Sequence, residues 1–202
     1  VGPHTISVPR LRLSGNEPMP AVPLLSDEEF TRLVAVLRLA VPYTGIIMST
    51  RENAQLRDLL LDLGVSQMSA ASVTSPGGYR ADENKTTSQQ FATYDHRSLL
   101  EIVRAIGKKG YLPSFCTACY RVGRTGEHFM EFAKDGEIQS FCQPNAILTV
   151  AEYLADHGDE ATQREFAPLI DKWVAEISDP AVRSLTRLHL QELSEGRRDL
   201  YL

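Results

Sequence analysis

The segment Thr44-Gly45-Ile46-Ile47-Met48 is almost continuously apolar, which is typical of a strand that is buried on both faces of a sheet. A short β-branched segment, Thr5–Val8, precedes it, and a segment rich in small residues, 65–73, follows it. A stripe of apolar residues with helical spacing separates each neighbouring pair of these segments. Strands that alternate with helices in this way predict a parallel sheet with right-handed crossovers.

The helices between these strands have recognisable starts. Ser26 and Glu29 have the spacing of a capping box, in which each side chain bonds the backbone of the other residue, and Ser49 and Glu52 repeat it. A third helix is predicted from about residue 95 to residues 107–110, on the evidence of its apolar stripe. The first half of the chain therefore contains three strand–helix units.

Three strands are too few for a stable parallel sheet, because both of its edges would need cover. We therefore predict an α/β fold in which these are the last strand–helix units of a larger α/β barrel, or in which the missing strands come from elsewhere. Residues 113–202 change character and are mostly helical. Thr149 and Glu152 predict the start of one helix, and the dipeptide 179–180 (Asp-Pro) predicts the start of the last one.

The composition is that of an ordinary globular protein. Of its 202 residues, 26 are acidic and 21 are basic, and a net charge of −5 argues against a general nucleic-acid binder. No apolar run approaches the ~18 residues of a membrane span, and the start has no signal-peptide pattern. We predict a cytoplasmic protein that binds neither nucleic acid nor a membrane.

The chemically most informative residues are the three cysteines Cys116, Cys119 and Cys142. An odd number with two close together is a poor disulfide framework and a better metal site in a reducing compartment. Three thiolates could hold a 4Fe–4S cube and leave its fourth iron open. A zinc site would need a fourth ligand, for which His128 is the nearby candidate. The spacing leaves both sites open, and three unconnected buried cysteines are a further alternative.

Other polar residues surround the cysteines. Arg121, Arg124 and His128 lie between them, where cations and donors would stabilise thiolates and tune a redox potential, although a solvated turn is the alternative. The dipeptide 144–145 (Pro-Asn) predicts a turn before the next helix. Residues 197–200 look mobile, and we assign them no function.

Seven segments of the chain resemble one family, the radical S-adenosylmethionine tyrosine lyases of FeFe-hydrogenase maturation. The segments similar to its C-terminal cluster domain are Pro113–Arg121, Gly123–Gly126, Phe129-Met130 and Cys142–Ala146. Those similar to its last barrel strands are Gly2–Arg10, Val41–Gly45 and Gly64–Ser69. The resemblance covers nearly the whole chain, and the spacing of the three cysteines separates it from the related tyrosine lyases of the thiamine pathway.

The resemblance implies a radical S-adenosylmethionine (βα)8 barrel in which one 4Fe–4S cluster cleaves S-adenosylmethionine. The resulting 5′-deoxyadenosyl radical attacks tyrosine and gives p-cresol and dehydroglycine. At a second, auxiliary 4Fe–4S cluster, dehydroglycine yields carbon monoxide and cyanide, which assemble on an additional iron as an Fe(CO)2(CN) unit for the hydrogenase. Other hydrogenase maturation proteins are then implied as partners. Residues 1–112 would be the last strand–helix units of the barrel, with the N-terminal part missing, and residues 113–202 would be the domain of the auxiliary cluster.

The resemblance also implies a set of metal ligands. Cys116, Cys119 and Cys142 match the ligands of the auxiliary cluster. His4 lies in a Gly-Pro-His-Thr motif of the family and is the candidate ligand of the additional iron. Without the resemblance, a histidine at the start of a strand is more typical of a structural residue.

Two arginines are candidates for substrate binding. Arg51 lies just past the second strand, at the end of a barrel strand where active sites lie, and a guanidinium can hold a carboxylate through two hydrogen bonds. Its alternative role is a residue of the first helical turn that faces solvent. Arg10 is the weaker candidate, near S-adenosylmethionine or substrate.

One departure from the family pattern is decisive. The CxxxCxxC motif of radical S-adenosylmethionine enzymes is absent, because the chain has three cysteines and all are already assigned. We therefore expect the chain to be the C-terminal portion of the enzyme, unable by itself to generate the radical. The competing hypotheses are a binding module stabilised by zinc or an iron–sulfur cluster, and an electron-transfer domain.

Overall fold

The structure is a computed structural model that describes residues 3–11, 23–79, 91–135 and 138–202. Its helices and strands, in chain order, are β1 (Thr5–Ser7), α1 (Asp27–Ala40), β2 (Gly45–Met48), α2 (Ala54–Asp62), β3 (Gln67–Met68), α3 (Leu99–Lys108), α4 (Ala118–Arg121), α5 (Gly126–Asp135), α6 (Gln139–His157), α7 (Glu160–Ala175) and α8 (Pro180–Ser194). They form two compact units, Gly2–Leu99 and Leu100–Leu202.

The first unit contains a small parallel sheet in the order β1-β2-β3. Ile6 lies opposite Ile46, and Ile47 lies opposite Gln67. The predicted parallel pairing is confirmed, and the fold is α/β with a large helical content. The third strand is much shorter than the predicted segment 65–73. Ala71 has a left-handed backbone (φ 46°), which an extended strand cannot contain.

The core of the first unit lies between the sheet and the two helices that follow β1 and β2. Alternate residues of β2 enter it, so Ile46 and Met48 are buried while Ile47 is half-buried. The buried apolar residues of this core are Phe30, Val34, Ile46, Met48, Leu56, Leu60 and Val65. Whether this sheet belongs to a complete barrel stays a prediction.

The two predicted capping boxes have different outcomes. The first is confirmed: the Glu29 backbone N–H donates to Ser26 Oγ, and the Ser26 backbone N–H donates to the Glu29 carboxylate at 2.8 Å. The prediction of a box at Ser49 was wrong, because α2 begins at Ala54 with Asn53 as its N-cap. Glu52 is buried and pairs with Arg10 instead.

The second unit is built from helices. α6 packs against α7 and α8, and α3 adds Val103 to their shared core. The buried apolar residues of this core are Val103, Ile147, Val150, Leu154, Phe166, Trp173, Val174 and Ile177. The predicted boundary after residue 112 separates α3 from the later helices, whereas the compact units divide the chain before Leu100. α3 groups with the later helices because its apolar side faces the same core.

The structure of α6 contradicts two predictions. It is one continuous helix, so the turn at Pro144 and the helix start at Thr149 were wrong. Pro144 lies in the second helical turn and removes one intrahelical hydrogen bond. The burial of the segment 144–148 favours the continuous helix despite that loss. Thr149 Oγ1 donates to the Ala146 carbonyl at 3.2 Å, as a threonine inside a helix commonly does.

The start of α8 lies where the sequence predicted it. Asp179 is its N-cap, with Oδ1 accepting from the Ala181 backbone N–H at 2.7 Å, and Pro180 is the first helical residue. Among the described parts of the chain, no helix combines the length and the apolar character needed to cross a membrane.

Candidate iron–sulfur site

All three cysteines belong to the second unit. Cys116 lies in the loop before α4, Cys119 lies within α4, and Cys142 lies in the first turn of α6. Cys116 Sγ accepts from the Ala118 backbone N–H at 3.4 Å, and the Cys119 carbonyl accepts from the Arg124 backbone N–H at 2.9 Å. These local bonds hold Cys116 and Cys119 on one tight turn, from which both thiols can face a common centre.

The three thiols are unbridged, and two of them act on the third. Burial, with smaller contributions from the neighbouring thiols of Cys119 and Cys116, raises the pKa of Cys142 to about 11, and the Arg124 guanidinium opposes the rise. The Cys142 side chain still has a solvent-exposed portion. The structure therefore places Cys119 and Cys116 close enough to Cys142 to act on it electrostatically, and the role of the three cysteines as cluster ligands stays a prediction.

The three cysteines can be compared with the requirements of a zinc ion and of an iron–sulfur cube. Within the described ranges, no group of three or more histidine, cysteine, aspartate or glutamate side chains could hold a metal ion. A structural zinc ion requires four ligands, with its sulfurs at about 2.3 Å. An iron–sulfur cube distributes its thiolates over separate irons, which places the sulfurs farther apart. Three thiolates alone are one ligand short of a zinc site, and they match three of the four irons of a cube.

The polar residues between the cysteines have distinct positions. The Arg124 guanidinium lies 4.7 Å from the ring centroid of Phe141, the residue before Cys142. The His128 ring packs edge-on against Phe132, with centroids 4.9 Å apart. Arg121 forms an ion pair with Asp199. Of these three residues, Arg124 is the one whose charge opposes the rise in the pKa of Cys142.

A cavity of about 330 Å³ opens beside Cys116. Phe115 and Tyr153 form part of its aromatic lining, with ring centroids 4.7 Å apart. The segment Asp199–Tyr201 lines it as well. Residues 199–201 thus lie next to Cys116, a predicted cluster ligand. The sequence did not indicate this proximity, because more than eighty residues separate them from Cys116.

In the first unit, Arg51 follows the carboxyl end of β2, as predicted. Its guanidinium carbon lies 3.8 Å from the ring centroid of Phe91, and its side chain is half-buried. Stacking on a ring uses the face of a guanidinium and leaves its in-plane N–H groups directed outward. Arg51 therefore has a geometry suited to a carboxylate ligand.

Arg10 has a different environment. Its side chain is buried, and it bonds the carboxylates of Glu52 and Asp27 and the Leu25 carbonyl. The hydrogen bond with Glu52 raises the pKa of Arg10 above its ordinary value. A substrate carboxylate would have to displace these partners, so the contacts of Arg10 serve the fold of the first unit.

His4 lies in the first unit, just before β1. Its side chain is exposed, and its carbonyl accepts from the Gly45 backbone N–H at 3.1 Å. The backbone bond secures the start of the sheet. The predicted role of His4 as an iron ligand stays a prediction.

The sequence of the first unit identifies the class of domain to which it belongs. Residues 7–112 match the model of the Biotin and Thiamin Synthesis associated domain, and the chain belongs to this family. The chain is also similar to the C-terminal part of HydG, a maturase of the FeFe-hydrogenase. One crystal structure of HydG is 49% identical, with a TM-score of 0.92, and the match covers 100% of this chain and 44% of that one.

Further similar proteins are consistent with this family assignment. HydG from Carboxydothermus hydrogenoformans is 40% identical, with a TM-score of 0.71, over 94% of this chain and 40% of that one. The 2-iminoacetate synthases of Escherichia coli and Salmonella typhimurium are each 30% identical over 112 residues, which is 54% of this chain and 28% of theirs. The chain thus spans less than half the length of these proteins. The family resemblance predicted from sequence is confirmed.

Proposed function

We propose that this chain is the C-terminal portion of a radical S-adenosylmethionine tyrosine lyase of FeFe-hydrogenase maturation. In this proposal Cys116, Cys119 and Cys142 hold the auxiliary 4Fe–4S cluster. The observation that carries the proposal is the 49% identity to a hydrogenase maturase over the whole chain, and the position of Cys142 near Cys119 and Cys116 supports it.

The complete protein would act on tyrosine and S-adenosylmethionine in a reducing cytoplasm, with a second 4Fe–4S cluster bound outside this chain. Tyrosine would give p-cresol and dehydroglycine, and dehydroglycine would give carbon monoxide and cyanide. An additional iron is the cargo that receives these ligands as an Fe(CO)2(CN) unit for H-cluster assembly. Other hydrogenase maturation proteins would then accept the product.

The residues of this chain would contribute in two ways. In the second unit, the three cysteines supply thiolates, and the high pKa of Cys142 means that a proton leaves when it becomes a ligand. In the first unit, Arg51 at the end of β2 would bind the substrate carboxylate with its in-plane N–H groups while Phe91 fixes its plane. The first unit would form the last strands of the radical S-adenosylmethionine barrel.

The test is anaerobic purification followed by reconstitution with iron and sulfide. We expect a broad visible absorption and about four irons per chain. Cys119→Ser should abolish cluster binding while leaving the first unit folded. Thr117→Ser, an equally small change between two of the cysteines, should bind iron like the parent. Stoichiometric zinc without visible absorption would contradict the proposal and favour a zinc-stabilised binding module.

A second experiment separates cargo assembly from electron transfer. Ferrous iron and cyanide or cysteine are added to the reconstituted protein, and the high-spin signal is followed by electron paramagnetic resonance. A changed signal is expected if an exchangeable iron is held, and an unchanged one would favour an electron-transfer domain. His4→Ala should retain the cube and weaken binding of the additional iron. Iron content and a spectrum identical to those of the parent would show that His4 is not its ligand.

A further inference from the structure

Residues 197–202, named here the returning segment, follow the last helix. α8 ends at Ser194, and Gly196 has a left-handed backbone (φ 100°) that turns the chain back. The sequence suggested that residues 197–200 are mobile, but Arg198 forms an ion pair with Asp156 on α6 through two nitrogens. The returning segment therefore has specific contacts with the body of the second unit.

The returning segment contacts the helix that carries Cys142. The Leu202 backbone N–H donates to Asn145 Oδ1 at 2.7 Å, and Asn145 Nδ2 donates to the Leu202 carbonyl at 3.1 Å. Asn145 is 2% exposed and lies three residues after Cys142. Two turns further along α6, the Asp199 backbone N–H donates to Glu152 Oε2 at 2.8 Å. These bonds fix the register of the returning segment along α6.

The returning segment also contacts the turn that carries Cys119. The Asp199 carboxylate forms an ion pair with Arg121, which lies two residues after Cys119. The Arg121 guanidinium carbon also lies 5.3 Å from the ring centroid of Tyr201. α4 has only four residues and its N-cap residue, Thr117, makes no side-chain capping bond. A single helical turn is not stable by itself, so α4 depends on such tertiary contacts.

We infer that the returning segment is a positioning element for the cysteines, because it ties the turn of Cys119 to the helix of Cys142. This inference rests on the proposed cluster site. A cluster needs its thiolates at fixed relative positions, and a mobile cysteine turn would lose conformational entropy each time the cluster binds. Arg121 and Asp199 are accordingly positioning residues that act through Cys119 without touching the cluster.

Asp199→Asn is the test variant. Asp199 has a left-handed backbone (φ 63°), which asparagine tolerates well, so the substitution removes the charge with little backbone strain. Arg121→Gln removes the other charge of the pair, and Arg121→Lys keeps it. The matched control is Glu165→Gln, which breaks a partly exposed ion pair of 2.9 Å with Arg104 between α3 and α7, two helices that carry no cysteine.

The first measurement is the rate at which reconstituted protein loses iron to a ferrous chelator. We expect Asp199→Asn and Arg121→Gln to release iron about two- to fivefold faster than the parent, the range that loss of a partly exposed ion pair produces. Arg121→Lys should lie closer to the parent, and Glu165→Gln should match the parent. Equal rates in all variants would overturn the inference, as would equal acceleration by the control.

The second measurement is amide hydrogen exchange of residues 118–123 in iron-free protein. Asp199→Asn should accelerate exchange there by about two- to fivefold, and Glu165→Gln should not. If the parent binds no iron, the proposed function fails, and this measurement still decides the inference. If the parent binds iron but neither chelator release nor exchange changes, the inference fails while the proposed function stands.

Discussion

Arg57 and Asp95 form an ion pair in which both side chains are 0% exposed. Arg57 also donates to the Ser69 carbonyl, and Asp95 accepts from Arg97, which in turn pairs with Asp58 at 3.0 Å. The network joins α2 to Ser69, which follows β3, and to residues 95–97, which precede α3. It explains why the third helix begins at Leu99 and not at Asp95, which the sequence had included in that helix.

Replacing one partner of this pair should strongly destabilise the first unit. Arg57→Met leaves Asp95 buried with only part of its compensation, and we expect a loss of about 3 kcal/mol in the free energy of unfolding. Urea unfolding followed by circular dichroism measures it. Arg32→Met is the control, because its ion pair with Glu28 is exposed and should contribute little. Equal losses of unfolding free energy in Arg57→Met and Arg32→Met would contradict the prediction that burial makes the Arg57–Asp95 pair more important.

The same network predicts a dependence of stability on pH. Burial alone would raise the pKa of Asp95, but the hydrogen bonds from Arg97 and the Arg57 charge hold it below its ordinary value of 3.8. The folded state therefore binds this proton less readily than the unfolded state, so the stabilisation is present above pH 3.8 and is lost as the pH falls through the folded pKa. Asp95→Asn should flatten the stability profile in this acidic range. If the stability of Asp95→Asn falls as steeply with pH as that of the parent, other carboxylates determine the acid sensitivity of the fold.

Gly107 is required by close packing between α3 and α7. A Cβ atom at this position would overlap the ring of Phe166, which is fully buried. Gly107→Ala should cost about 1–3 kcal/mol despite the better helix propensity of alanine. The single tryptophan, Trp173, lies in the same core, so its fluorescence reports the unfolding of the second unit. In a Phe166→Leu background the cost should decrease, and an unchanged cost would locate the strain elsewhere.

Arg124 should tune the proposed cluster. Its positive charge acts on Cys142, and a nearby cation stabilises the reduced, more negative state of a cluster. Arg124→Gln should therefore lower the midpoint potential by tens of millivolts, while Arg124→Lys should retain most of the parent value. Potentiometric titration of the reconstituted protein measures the change. A potential unaffected by Arg124→Gln would show that solvent screens this charge.

Arg51 should bind substrate in the complete protein. Arg51→Gln removes the charge that would hold the tyrosine carboxylate, and we expect tyrosine to bind about tenfold or more weakly, as loss of a charged hydrogen bond predicts. Phe91→Leu should weaken binding less, because it removes the stacking and keeps the guanidinium. Arg38→Gln provides a comparison, since Arg38 bonds carbonyl groups in the loops after α1 and α2. Unchanged tyrosine binding in Arg51→Gln would exclude the assigned role.

Local patterns were sufficient for several features. Ser26 and Asp179 begin helices as predicted, because a cap depends on residues within one turn of it. The Ser49 pattern failed although its spacing is identical, because the buried Arg10 lies 42 residues from Glu52 and takes its carboxylate. The prediction of a turn at Pro144 failed because the helix that contains it is packed against two others. In both cases a partner distant in sequence outweighed the local preference.

The sequence by itself determined the family, the parallel strand–helix order and the three cysteines, because periodicity and donor chemistry are properties of neighbouring residues. Tertiary structure decided which arginine side chains have carboxylate partners within the protein. Arg10 is enclosed by Glu52 and Asp27, whereas Arg51 stacks on Phe91 beyond the end of a strand. It also decided that residues at the end of the chain secure the cysteine turn. Such pairings join segments far apart in the chain, and only folding brings their polar groups within hydrogen-bond distance.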